Sequence, residues 1–172
     1  MRNIYLVGFM GAGKTAVGGA VARRLGRDFV DLDQRLEEHF GMTIREVFAS
    51  RGEAAFRRAE RAELAAATGQ SGLVVATGGG TFSSTENRRL IDASGGLSVF
   101  LDVPWEVIVS RLAGDTASRP KWVDATDARR LYERRLESYR TASIHLELAG
   151  DERAEAIAAQ IEDVAPERAC AS

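Results

Sequence analysis

Gly8-Phe9-Met10-Gly11-Ala12-Gly13-Lys14-Thr15 is the stretch on which the reading of this chain turns. A glycine, four residues and then Gly-Lys-Ser/Thr is the pattern of a phosphate-binding loop. Its flanks agree. Ile4-Tyr5-Leu6-Val7 is a short apolar run suited to a buried strand, and residues 16–25 carry Val17, Ala20, Val21 and Leu25 close to helical spacing. Strand, glycine loop and helix N-terminus together turn backbone N–H groups onto a polyphosphate, and the helix adds partial positive charge. The backbone of Gly11, Ala12, Gly13, Lys14, Thr15 and Ala16 is therefore expected to wrap a nucleotide triphosphate. Lys14 is expected to reach the β- and γ-phosphates, and the Thr15 hydroxyl to ligate Mg2+.

Strands and helices alternate through the rest of the chain. Residues 29–33 read as a second strand running out into Asp31 and Asp33, and a small helix follows. Thr43 with Glu46 makes a capping box, and Gly52 punctuates before a helical stretch over 53–67. Residues 73–76 form a third strand ending in Thr77-Gly78-Gly79-Gly80. Helix 85–91, strand 97–101 and helix 105–112 come next, with Pro104 in the last helix's first turn. Helix 126–141, strand 144–148 and helix 152–164 close the pattern. Such alternation predicts an α/β fold: three layers, α/β/α, around a five-stranded parallel sheet, with ligands at the carboxyl ends of the strands. Residues 1–165 are expected to form one domain and 166–172 a disordered tail.

Bulk properties narrow the class. With 172 residues, 45% hydrophobic and 28% charged, the chain can bury one core. A net charge of −2 leaves no electrostatic footprint for nucleic acid or an anionic membrane. Cys170 is the only cysteine, which excludes an internal disulfide. No run approaches the length of a membrane span, so the expectation is a cytoplasmic protein.

Several side chains carry chemistry by position. In extended geometry Asp31 and Asp33 leave on the same face. That suits one carboxylate to Mg2+ and the next to an acceptor hydroxyl, or else a turn in which Asp33 caps the following helix. Gly78, Gly79 and Gly80 let backbone approach a ligand closely. Arg135 falls with Tyr132, Leu136 and Tyr139 on an apolar helical stripe, so its guanidinium either snorkels or binds an anion. Arg57 belongs to a charge stripe with Glu53, Glu60 and Arg61, usually a solvated face. The polar segment 113–124 carries Arg119 and Lys121 and suits a lid over the γ-phosphate.

Taken in order, these motifs resemble the shikimate kinases of the P-loop nucleoside monophosphate kinase-like group. The resemblance runs from about Asn3 to about Leu148 and rests on the phosphate loop, Asp31-Leu32-Asp33, Gly52-Glu53, Phe56-Arg57-Arg58, Glu60, Gly78-Gly79-Gly80, Arg119-Pro120, Arg135 and Tyr139-Arg140. It implies ATP-dependent phosphorylation of a shikimate ring hydroxyl in aromatic amino acid biosynthesis, with Mg2+ at Thr15 and Asp31. It implies that Lys14, Asp33 and Arg119 are catalytic, and that Asp33, Arg57, Gly78, Gly79, Gly80 and Arg135 hold shikimate. Arg111 and Arg119 are implied on the nucleotide side. ATP and shikimate are the implied partners of a monomer. One departure touches the lid, where the family's usual Arg-Pro-Leu-Leu is Arg119-Pro120-Lys121-Trp122.

Two other readings are weaker. A gluconate or nucleoside monophosphate kinase would share the loop and carboxylates, but Arg57, the triple glycine and Arg135 favour an acceptor bearing a carboxylate. A GTPase-type switch would need an Asn-Lys-x-Asp motif, which is absent; Asp92-Ala93-Ser94-Gly95 matches Asp-x-x-Gly but sits at a helix end. Asp102 ends an apolar run as the metal aspartate of other phosphate-loop ATPases does, yet Pro104 marks helix entry there.

Overall fold

The computed structural model describes residues 1–114 and 125–165. Five parallel strands stand in the order β2-β3-β1-β4-β5: β1 (Ile4–Val7), β2 (Phe29–Asp31), β3 (Val74–Ala76), β4 (Leu97–Asp102) and β5 (Ile144–Glu147). The central strands β1 and β3 are buried along their whole length, whereas edge strand β5 alternates between half-buried and exposed. That difference explains why the inner strands read as continuous apolar runs. Helices flank the sheet. α1 (Lys14–Leu25) packs on α7 (Ala154–Val164), and α3 (Ile44–Thr68) packs on both α2 (Leu32–Phe40) and α4 (Thr85–Ala93). α5 (Trp105–Gly114) and α6 (Ala125–Tyr139) complete the set. The expected three-layer α/β/α architecture is the observed one.

Register sets the site. Leu6 of β1 lies opposite Ala76 of β3, and Ala76 lies opposite Asp31 of β2. The phosphate loop, the aspartates and the triple glycine therefore leave the sheet at one end. Thr77 ties that end together, since its N–H and hydroxyl both donate to the Leu6 carbonyl, at 3.1 and 2.8 Å. At the opposite end the Asn3 amide donates to the carbonyls of Ala67 and Gln70 and accepts from the Leu73 N–H. The main core fills the space around the sheet. A second, smaller cluster of Leu36, Val47 and Phe56 holds α2 against α3.

Several boundaries differ from the sequence reading. The strand expected over 29–33 ends at Asp31, because the chain turns into α2 at Leu32. The capping box is present as expected, with Thr43 and Glu46 exchanging side chain-to-backbone bonds. Gly52 punctuates as expected: its non-helical backbone, φ 78° and ψ 166°, kinks α3 into two helical stretches. Asp92 lies in the last turn of α4 and Gly95 turns the chain with positive φ, so that Asp-x-x-Gly match is a helix end. Of the expected lid over 113–124, the first two residues belong to α5. Arg119, Pro120, Lys121 and Trp122 lie outside the described residues, as does the expected tail at 166–172.

Candidate active site

The phosphate loop joins β1 to α1. Gly8, Gly11 and Gly13 all have positive φ, at 151°, 82° and 91°, a backbone that side-chain-bearing residues adopt only with strain. Gly13 is the N-cap of α1 and supplies no side-chain cap. The first N–H groups of the helix are thus left for a ligand, on the end where the helix dipole is positive. Lys14 is buried, and its ammonium donates to the carbonyls of Gly8 and Phe9, both at 2.9 Å. Its charge is held over the loop rather than extended into solvent.

The two aspartates have different backbones. Asp31 ends β2 and caps α2, its Oδ1 accepting from the N–H of Asp33 at 3.0 Å and of Gln34 at 3.3 Å. Its Oδ2 accepts from the Thr15 hydroxyl at 2.6 Å. Asp33 sits in the first helical turn. The shared extended face expected from the sequence is therefore absent, and the helix cap belongs to Asp31, not Asp33. Both carboxylates nevertheless reach the same cavity. The Asp33 carboxyl is raised from 3.8 to about 6, chiefly because burial disfavours its charge. Lys14 opposes the shift, while Asp31, Glu60 and Glu37 add to it.

Arg57 and Arg135 converge on the triple glycine from helices far apart in the chain. Arg57 makes the ion pairs its spacing suggests, but from a half-buried position on the cavity. Its Nη1 donates at 2.9 Å to Oε2 of Glu60, whose side chain is only 1% exposed, and it also bonds Glu53. Glu60 Oε1 accepts from the Thr81 hydroxyl at 2.7 Å, so this buried carboxylate ties α3 to the turn after the glycines. The charge stripe includes Glu60, but the structure buries that carboxylate instead of solvating it. A signal was present, since Phe56, Glu60, Leu64 and Ala67 share the buried face of α3.

Each glycine makes room for a different side chain. A Cβ on Gly78 would stand 2.5 Å from Asp33 Oδ1, one on Gly79 would stand 3.4 Å from Arg135 Nη1, and one on Gly80 would stand 2.7 Å from Arg57 Nη1. The Arg135 guanidinium lies over the Phe9 ring at 5.8 Å. Four residues on, Tyr139 is wholly buried and donates its hydroxyl to the Gly79 carbonyl. Burial pushes that hydroxyl up to about 12, so it remains a donor.

These groups line one cavity of about 980 Å³. Asp33, Arg57, the glycines and Arg135 form one end, Gly11 to Val17 the middle, and Arg111, Glu152, Ala154 and Ile157 the other end. Arg111 bridges two backbone segments, donating to the Gly11 carbonyl at 3.0 Å and the Gly150 carbonyl at 2.6 Å. Glu152 accepts the N–H groups of Ala149 and Gly150, both at 2.7 Å, and no sequence motif had marked it. Asp102 is turned to a different neighbour, the His145 ring at 2.7 Å on the β4–β5 side. A cleft with Lys14 at the phosphate loop, Arg57 and Arg135 beside the glycines and Arg111 beside Gly11 can hold a nucleotide phosphate chain together with a small anionic acceptor.

Residues 10–165 match the family model described as shikimate kinase. A shikimate kinase of Sulfurihydrogenibium sp. is 42% identical over 147 residues, spanning 85% of this chain and 87% of that one. A solved shikimate kinase from Acinetobacter baumannii, in complex with shikimate, superposes with a TM-score of 0.89 at 36% identity, covering 96% of this chain and 93% of that one. The shikimate kinase structure from Bacteroides thetaiotaomicron gives 0.86 at 32% identity over 95% and 98%.

Proposed function

The chain belongs to the shikimate kinase family, and from that premise we infer which of its residues perform which part of the reaction. The activity is transfer of the ATP γ-phosphoryl group to a shikimate ring hydroxyl, giving shikimate 3-phosphate and ADP in the route to aromatic amino acids. One observation carries the residue assignment: a single cavity has a phosphate loop in its middle and Asp33, Arg57 and Arg135 gathered at one end.

In this reading the N–H groups opening α1 hold the phosphates, and the Lys14 ammonium neutralises charge on the β- and γ-oxygens. Asp33 takes the proton of the attacking hydroxyl, its carboxyl near 6 being basic enough to accept yet ionised at neutral pH. Arg57 and Arg135 pair with the shikimate carboxylate beside Gly79 and Gly80. Thr15 and Asp31, a hydroxyl and a carboxylate 2.6 Å apart, fit a hard cation that takes its other ligands from phosphates and water. Mg2+ bound there would supply charge neutralisation across the β- and γ-phosphates. Arg119, from the lid over 113–124, is assigned the remaining transition-state charge, and Arg111 the nucleotide side. The whole of residues 1–165 is taken as one kinase domain acting as a monomer on two small molecules. Among the described residues no helix is long and apolar enough to cross a membrane.

The test is ADP release from MgATP across shikimate, gluconate, nucleoside monophosphates and no acceptor. Release should depend on shikimate. Equal rates with and without it, or a faster rate with another acceptor, would overturn the reading.

A further inference from the structure

Tyr139 falls on the apolar stripe of α6 and would pass for a core residue: it is 0% exposed and its ring packs on Phe100, centroids 5.4 Å apart. Its hydroxyl does something packing does not require. It donates to the carbonyl of Gly79, the middle of three glycines with no side chains of their own to fix them. The positive charge of Arg135 favours the ionised form of the same hydroxyl, and Arg135 Nη1 would be 3.4 Å from a Cβ on Gly79. One buried oxygen thus bonds the same glycine that the guanidinium, one helical turn earlier, is set against.

We propose that Tyr139 is a positioning residue for the acceptor's carboxylate, holding the Gly79 carbonyl and the Arg135 guanidinium in one fixed relation. The proposal rests on the assignment of Arg135 to the shikimate carboxylate. A planar anion is best held when its donors are already in place, since each donor that must be ordered on binding subtracts from affinity. Glycine peptides and an arginine side chain are among the most mobile groups a site can contain. Tyr139 removes that freedom from both at once. The trans peptide that begins at the Gly79 carbonyl also ends in the Gly80 N–H, which the bond to Tyr139 turns away from α6. The arrangement meets the phosphate loop only at Phe9 and Met10, before the Gly11–Ala16 backbone assigned to the phosphates, so the nucleotide should sense it far less than the acceptor does.

The test is steady-state kinetics of Tyr139→Phe, which keeps the ring against Phe100 and deletes only the hydroxyl. An unmade buried hydrogen bond leaves the carbonyl unpaired, which translates to about a tenfold rise in shikimate KM. The ATP KM and the saturated kcat should stay within about twofold. Calorimetric titration of shikimate into the protein should show the same loss without turnover. A shikimate analogue lacking the carboxylate should bind wild type and Tyr139→Phe alike. Arg135→Ala, run in parallel, separates the proposal from its premise. If Arg135→Ala raises shikimate KM and Tyr139→Phe does not, Tyr139 is a packing residue and the proposal fails. If Arg135→Ala also leaves KM unchanged, the carboxylate assignment itself is wrong. Equal rises in the shikimate and ATP KM values of Tyr139→Phe would indicate general loosening, and would also overturn the proposal.

Discussion

Asp33 shows most directly how one residue's environment trades stability for chemistry. Its carboxyl is raised from 3.8 to about 6 in the folded protein, so between those values the native state binds a proton that the unfolded chain has released. Stability from this group therefore falls as pH rises through that window, and at neutral pH the ionised carboxylate is a net cost. A shift of this size corresponds to at most about 3 kcal/mol, reduced by the water that reaches Asp33 along the cavity. Asp33→Asn should consequently raise the melting temperature of the free protein at pH 7.5, with the gain shrinking towards pH 4.5. The same change should lower kcat on the order of 100-fold or more by removing the proton acceptor. Wild-type turnover should lose about tenfold per pH unit below about 6. A melting temperature indifferent to the substitution at both pH values would mean the carboxylate is well solvated.

At the level of the element, α3 carries both sides of the acceptor end. Phe48 lies before the Gly52 kink and Phe56 after it, their ring centroids 4.7 Å apart, and Arg57 follows directly. Gly52 has φ 78° and ψ 166°, a conformation essentially confined to glycine, and no atom would crowd a Cβ there. The cost of Gly52→Ala is therefore backbone strain alone, roughly 1–3 kcal/mol. Relief by straightening the helix would swing Phe48 away from Arg57, so the shikimate KM should rise severalfold while the ATP KM holds. Loss of stability with unchanged acceptor kinetics would show that the kink serves folding only. The sequence made much of this element legible, because capping boxes and glycine breaks are local signals. It left two things obscure. Residues 29–33 read as one strand because Leu32 and Asp33 alone cannot display a helical period, and only the Asp31 cap reveals the turn into α2. The partners of Glu60 and Tyr139 are the other, since Thr81 and Gly79 lie 21 and 60 residues away, where no spacing rule reaches.

Across the whole molecule the sheet gathers residues from Met10 to Ile157 around one cleft, and the pairing of α1 with α7 closes its nucleotide end. Ile161, 0% exposed on α7, belongs to the core without lining the cavity. Ile161→Ala should destabilise the fold by about 2–5 kcal/mol, a fall in melting temperature on the order of 10 °C, while kcat at 25 °C stays within about twofold. Excess ATP should recover part of that loss by mass action. A variant as stable as wild type would indicate that α7 is loosely seated. The same pairing has a temporal side. A ribosome finishes the phosphate loop more than a hundred residues before the helix that backs it, a wait on the order of ten seconds. Throughout that interval the apolar face of α1 has no final partner, and the nascent chain owns a complete nucleotide motif without a place to keep a nucleotide. Chains stalled with residues 154–164 still inside the exit tunnel should fail to retain ATP and should recruit hydrophobic-surface chaperones, whereas chains stalled some forty residues later, on an appended linker, should do neither.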